Sequence, residues 1–230
     1  MRILSMCTPS YNSLRDVTWP TKAAYAAKWG HSITHETHLE PYDLWERPKL
    51  WRENLHHSGW LLFSACDVAI TNQNIDIANL IDDHSEFICC SDGNGLNADS
   101  WLMKECYNSL KFLDDVIAMQ GKAIHEQDAM VHVMAATSLS ERYKIKPFQD
   151  GSRIGWFATH DLMELAKREF NQSPLRVKVV PQRQLNAYDA ETYGISGDHW
   201  WSWHPGDFCC HMVARTLDER IHHFKRILSL

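Results

Sequence analysis

The sequence has no continuous apolar run long enough to cross a bilayer, and its first strand-like segment, Arg2 to Cys7, follows the initiator Met with no room for a signal peptide. A cytoplasmic protein without a membrane span is the expectation. No Gly-x-Gly-x-x-Gly follows that strand and the phosphate-loop lysine signature is missing, which excludes the usual dinucleotide and P-loop architectures. There is no cluster of Lys or Arg, and the formal charge of -6 leaves little to attract a polynucleotide backbone. A compact anion such as a diphosphate remains compatible, because helix N-termini, a metal or one or two basic side chains can hold it. The 7 cysteines lack the two-residue spacing of zinc ribbons. With two adjacent pairs, Cys89-Cys90 and Cys209-Cys210, they read as small apolar residues in reducing surroundings. Repeats, low-complexity tracts and interdomain linkers are also missing, so 230 residues are expected to build one core.

What the sequence does have is tryptophan, 10 in all, several in polar company as in Trp200-Trp201-Ser202-Trp203-His204. Indole faces suit sugar rings as well as cores. The patterning alternates strand and helix. Ile3 to Met6 reads as a buried strand, Asp16 to Trp29 as a helix capped by Gly30, and Ser32 to Glu36 as a second strand. Pro41 and Pro48 frame what reads as an irregular, aromatic-rich connection. Trp60 to Phe63 and Phe87 to Cys90 are continuous apolar strands of the kind buried on both faces. Segments 101–118 and 126–136 read as helices, Gly151 to Gly155 as a loop, Asp161 to Phe170 as a helix, Val177 to Val180 as a strand and 217–228 as an amphipathic helix. This order predicts an α/β fold with a central, mostly parallel twisted sheet flanked by helices, and ligands beyond the carboxyl ends of the strands.

Three sets of residues carry chemistry. Asp67 follows a hydrophobic strand and precedes Ala69-Ile70, so its carboxylate is expected near a low-dielectric region where a divalent cation would offset its burial. The alternative is an Asp that caps the turn at Thr71-Asn72. Trp203 to His211 reads as a turn into a buried strand that returns His211 to the same region, as a ligand beside Asp67 or as a structural histidine. Glu126-Gln127-Asp128 places two carboxylates at a helix start, where one can cap the helix and the other face substrate.

These residues also carry a resemblance. Thr8-Pro9-Ser10-Tyr11, Lys22 to Gly30, Trp60 to Asn72, Asn94 to Ala98, Glu126 to Ala129, Gln184 to Tyr188 and Gly206 to His211 together resemble the retaining galactosyl-, mannosyl- and xylosyltransferases of fungal and plant Golgi, which have the GT-A fold. The resemblance implies a single GT-A-like domain over 1–230. Its nucleotide-sugar half would span about 1–125 and its acceptor and catalytic half about 126–230. Asp67 matches the last carboxylate of the family's aspartate-x-aspartate metal motif, and His211 its distal ligand, for Mn2+ or Mg2+. Gln127 and Asp128 match residues at the donor sugar, with Asp128 beside the reacting carbon. Thr8, Pro9, Tyr11, Lys22, Asn94, Gly95, Asn97, Glu126, Asn186, Trp203 and Gly206 complete the substrate-binding set.

One position departs from that pattern: Ala65 stands where the motif has its first aspartate. A metal would then be held more weakly, or more by the diphosphate itself. The lack of a membrane anchor separates the chain from Golgi members and points to a bacterial or viral relative. The activity implied is retaining transfer from a nucleoside-diphosphate sugar, a uridine-diphosphate sugar above others, to a saccharide hydroxyl. A nucleotide-sugar hydrolase and a non-catalytic carbohydrate-binding protein are the alternatives. A pyrophosphorylase is disfavoured, because Pro9 to Ser13 supplies no basic glycine-rich loop.

Overall fold

The computed structural model describes residues 1–37, 43–92, 95–123, 125–134, 175–189 and 201–229. The expected helix at 161–170, the loop at 151–155, positions 135–136, Asn94 and Trp200 lie outside these residues. Along the chain come β1 (Arg2–Cys7), α1 (Asn12–Trp29), β2 (Ser32–Thr37), α2 (Glu46–Leu55), β3 (Trp60–Ser64) and β4 (Val68–Ile70). They are followed by β5 (Phe87–Asp92), β6 (Gly95–Leu96), β7 (Ser100–Lys104), α3 (Tyr107–Ile117) and α4 (Glu126–Met134). The remaining described elements are β8 (Val177–Val180), α5 (Gln182–Leu185), β9 (Ala187–Tyr188), β10 (Cys209–His211) and α6 (Leu217–Ile227).

The main sheet has seven strands in the order β2-β1-β3-β7-β5-β6, with β8 also on β5. β1, β2, β3, β5 and β8 point one way while β7 and β6 run against them, so the sheet is mixed but mostly parallel, as expected. Its core is aromatic. Trp51, Phe63, Phe87 and Trp101 are fully buried, and the Trp51 and Trp101 rings meet edge to face at 5.2 Å. Among the described tryptophans, Trp45, Trp51 and Trp101 are buried, and Trp19, Trp29, Trp60, Trp201 and Trp203 are half-buried.

Two expectations need correction. Residues 100–104 form β7 rather than the start of a helix. Trp101-Leu102-Met103 is a continuous apolar run held antiparallel between β3 and β5, and burial on both faces overrides the helical spacing that begins only at α3. The connection framed by Pro41 and Pro48 ends inside α2: Pro48 sits in the first turn of that helix, where its missing N–H removes no intrahelical bond. The α1 cap holds: Gly30 is left-handed at φ 68° and its N–H donates to the Ala26 carbonyl.

A second, three-stranded sheet, β4-β10-β9, packs under α1 and α6 through Leu14, Val17, Ala69, Cys210, Met212 and Phe224. β4 follows β3 after only Ala65, Cys66 and Asp67, so the chain steps from one sheet to the other at Asp67. None of the described helices is long and apolar enough to cross a membrane.

Candidate active site

A cleft of about 270 Å³ opens beyond the carboxyl ends of β1 and β3, where a parallel sheet leaves room for ligand. Met6, Cys7, Thr8, Ser10 and Tyr11 line it from β1 and the following turn, and Phe63, Ala65, Cys66 and Asp67 from β3 and its exit. Asp99 enters from the start of β7, Arg47 from α2 and Arg220 from α6. Thr8 and Ser10 share a hydroxyl hydrogen bond of 2.8 Å.

Asp67 and His211 do meet. His211 lies opposite Val68 in the β10–β4 register, and its Nε2 is 3.4 Å from Asp67 Oδ1. The same Nε2 is 3.9 Å from Asp99 Oδ2. The other oxygen of each carboxylate is held by an arginine: Arg220 Nη1 donates to Asp67 Oδ2 at 2.6 Å, and Arg47 Nη2 to Asp99 Oδ1 at 2.5 Å. The reading of Asp67 as a turn cap is thereby set aside.

Burial alone would push the Asp67 carboxyl up, but the facing His211, Arg220 and Arg47 hold it well below the usual carboxylate range. Burial likewise opposes charge on His211, yet Asp67 first and Asp99 next raise its pKa above the ordinary histidine value. Two carboxylates and an imidazole are a donor set that suits Mn2+ or Mg2+, so the residues fit such an ion in kind. Among the described residues, only His56, His57 and Glu105 bring three ligand atoms within 4.8 Å of one another. That cluster could hold a metal, but it lies at the opposite end of β3 from the cleft. Glu105 there already accepts from the backbone N–H groups of His57 and Gly59. In the Asp67–Asp99–His211 group each carboxylate also pairs with an arginine.

The start of α4 adjoins this group. Arg47 Nη1 donates to Glu126 Oε1 at 2.7 Å, and burial raises the pKa of the Glu126 carboxyl. The Gln127 side-chain oxygen accepts from the Ala98 N–H at 3.2 Å, one residue from Asp99. Asp128 is not a wall of the cleft; it is half-buried and pairs with His125 Nδ1 at 3.1 Å. Asn97 is buried, donates to Tyr188 Oη and accepts from the Asp99 N–H, so it fixes the loop that aims Asp99.

Other expected contacts are placed differently. Lys22 does not reach the cleft. It is fully buried beneath it and spends its ammonium on Ser5 Oγ and the carbonyls of Ser64 and Ala65, a structural tie between β1 and the exit of β3. Burial lowers its pKa from 10.5 to about 8. Trp203 Nε1 donates to Thr71, and the Gly206 carbonyl accepts from the Asn72 side chain, so both brace the turn before β10 rather than line the cleft. Gly206 adopts φ 108°, which favours glycine at that turn. Asn186 is fully buried at the end of α5, and Pro9 is exposed at the first position of the turn after β1. Gly95 lies in β6.

Sequence reasoning missed Arg47, Asp99 and Arg220. The signal for Asp99 was a carboxylate immediately after Asn97-Ala98 and ahead of an apolar run. The two arginines sit in stretches that read as a connection and as the polar face of a helix, and nothing local marks them.

A mostly parallel sheet with this cleft at its strand ends is that of a GT-A glycosyltransferase, an enzyme that moves a sugar from a nucleotide-activated donor. Residues 60–220 match the galactosyl transferase GMA12/MNN10 family, and the chain belongs to it. Among solved structures, it is similar to a glycosyltransferase involved in the glycosylation of the major capsid of PBCV-1. That likeness is at 16% identity, spans 98% of both chains and has a TM-score of 0.65. It is also similar to the apo-form glycosyltransferase GlyE of Streptococcus pneumoniae TIGR4, at 10% identity over 99% of this chain and 62% of that one, with a TM-score of 0.51. At these identities the likeness is one of fold. No curated protein sequence matches the chain significantly.

Proposed function

We propose that the protein transfers a hexose or pentose from a uridine-diphosphate sugar to a saccharide hydroxyl with retention at the anomeric carbon. The observation that carries this reading is the meeting of Asp67, Asp99, His211, Arg47 and Arg220 at one cleft, with Gln127 tied to its rim. In this reading residues 1–125 chiefly take the nucleotide sugar and 126–230 the acceptor, within one domain. The family's description makes galactose the first sugar to try.

In the step proposed, the bond from C1 to the diphosphate oxygen breaks and its electron pair stays on the leaving group. The acceptor oxygen bonds to C1 on the same face, and its proton passes to the departing phosphate oxygen. Arg220, Thr8 and Ser10 bind and orient the diphosphate, while Gln127 and Asp128 orient the sugar and favour oxocarbenium character. A divalent cation held by Asp67 and His211, when bound, supplies further charge neutralisation of the diphosphate.

Nucleotide sugars screened with and without manganese, followed by NMR of the product, test the reading. The expected product keeps the donor's anomeric configuration. Inversion would overturn the mechanism, and equal release of free sugar with and without every acceptor would make the protein a hydrolase. Asp128→Asn should lower kcat by roughly a hundredfold, the size of one lost transition-state contact, with the melting temperature unchanged. Unchanged turnover would remove Asp128 from the site.

A further inference from the structure

Just past β3, Ala65 stands where the resembled family's metal motif has its first aspartate, and it contributes only a methyl group to the wall of the cleft. The chain that faces Ala65 is the start of β7. Ser64 pairs with Ser100 in the antiparallel register, and the next step of the ladder brings the Ala65 N–H to the Asp99 carbonyl at 2.8 Å. Residues directly opposite in such a pair carry their Cβ atoms about 5 Å apart on one face, so a carboxylate at 99 reaches into the space that a carboxylate at 65 would occupy.

The side chains agree with that placement. Arg47 fixes one oxygen of Asp99, and the remaining oxygen faces His211 Nε2. Arg220 fixes one oxygen of Asp67, and the remaining oxygen faces the same nitrogen. Arg47 is itself anchored on Glu126 and stacked over the Trp51 and Phe63 rings, each 5.3 Å away, so Asp99 is aimed by a rigid partner. Its loop is set by the bond from the Asp99 N–H to the Asn97 side chain.

We propose that Asp99 is the second anionic ligand of a divalent cation shared with Asp67 and His211, supplied across the strand pair from the position where Ala65 has none. The proposal rests on the donor site described above. Cation binding would draw the Asp67 and Asp99 oxygens that face His211 onto the ion, and the diphosphate oxygens would complete the shell.

The test needs no turnover. Mn2+ is titrated into the full chain with uridine diphosphate present, and free Mn2+ is read by electron paramagnetic resonance for the wild type, Asp99→Asn, and the double variant Ala65→Asp with Asp99→Asn. Asp99→Asn should weaken Mn2+ binding by at least about tenfold, and the double variant should recover most of the loss. Equal Mn2+ affinity in the wild type and Asp99→Asn would overturn the proposal. So would uridine diphosphate binding by the wild type with no Mn2+ taken up, which leaves the transferase reading intact; failure to bind the diphosphate at all would sink that reading instead. A second measurement on the unaltered protein guards against a variant that fails to fold. Iron(II) with ascorbate and peroxide should cut the backbone beside Asp67 and Asp99, and cuts confined to His56, His57 and Glu105 would overturn the assignment.

Discussion

Lys22 shows what a single buried charge does to this fold. Its three hydrogen bonds tie Ser5 to the carbonyls just before Asp67, yet burial lowers its pKa from 10.5 to about 8. Between these values the unfolded chain binds more protons than the folded one, so folding stability rises as pH climbs from about 8 towards 10.5. Lys22→Met removes that dependence. In urea unfolding, the wild type should gain about 2 kcal/mol over Lys22→Met between about pH 7.5 and about pH 9.5. Parallel pH curves for the two proteins would contradict this origin. The residue-scale lesson extends to the sequence reading. Asp67 and His211 were legible because each ends or follows a distinct apolar strand, whereas Lys22 was expected at the substrate and is instead a buried tie beneath the cleft. Only the close passage of α1 over the strand ends, which no local pattern encodes, makes it internal.

At the scale of elements, α6 matters beyond its own packing, because it delivers Arg220 to Asp67. Its N-terminus carries a capping box: the Glu219 N–H donates to Thr216 Oγ1, and the Thr216 N–H donates to the Glu219 carboxylate. Thr216→Ala should cost about 1 kcal/mol in denaturant unfolding and weaken uridine diphosphate binding by calorimetry, since the fraying turn holds Arg220 less firmly. An unchanged unfolding midpoint would argue that Phe224 and the core beneath it hold the helix without its cap. The amphipathic stripe made α6 readable in advance. β7 was not, because a three-residue apolar run next to a helix is ambiguous until its neighbours β3 and β5 are known. That misreading hid Asp99, whose meaning depends on lying at a strand start.

On the scale of the whole molecule, the α/β order, the family and the meeting of Asp67 with His211 could be read from residues. The arginine partners could not, for they depend on α2 and α6 converging from opposite parts of the chain. The cleft draws on both the main sheet and the exit into the small one, so a ligand there should hold the two together. At about a hundred times its Kd, uridine diphosphate with Mn2+ should stabilise the protein by about 2.7 kcal/mol, seen as one sharper melting transition at higher temperature. A ligand-induced rise in only one of two separate transitions would show that the small sheet unfolds independently.

The ion pair between Asp67 and Arg220 spans 153 positions of sequence, and Thr8 lies farther still from that arginine. The Asp67 carboxylate of a nascent polypeptide leaving the ribosome therefore lacks its Arg220 partner until the first turn of α6 has emerged. Acquisition of activity should lag behind acquisition of secondary structure, because such distant partners must find each other before the catalyst exists.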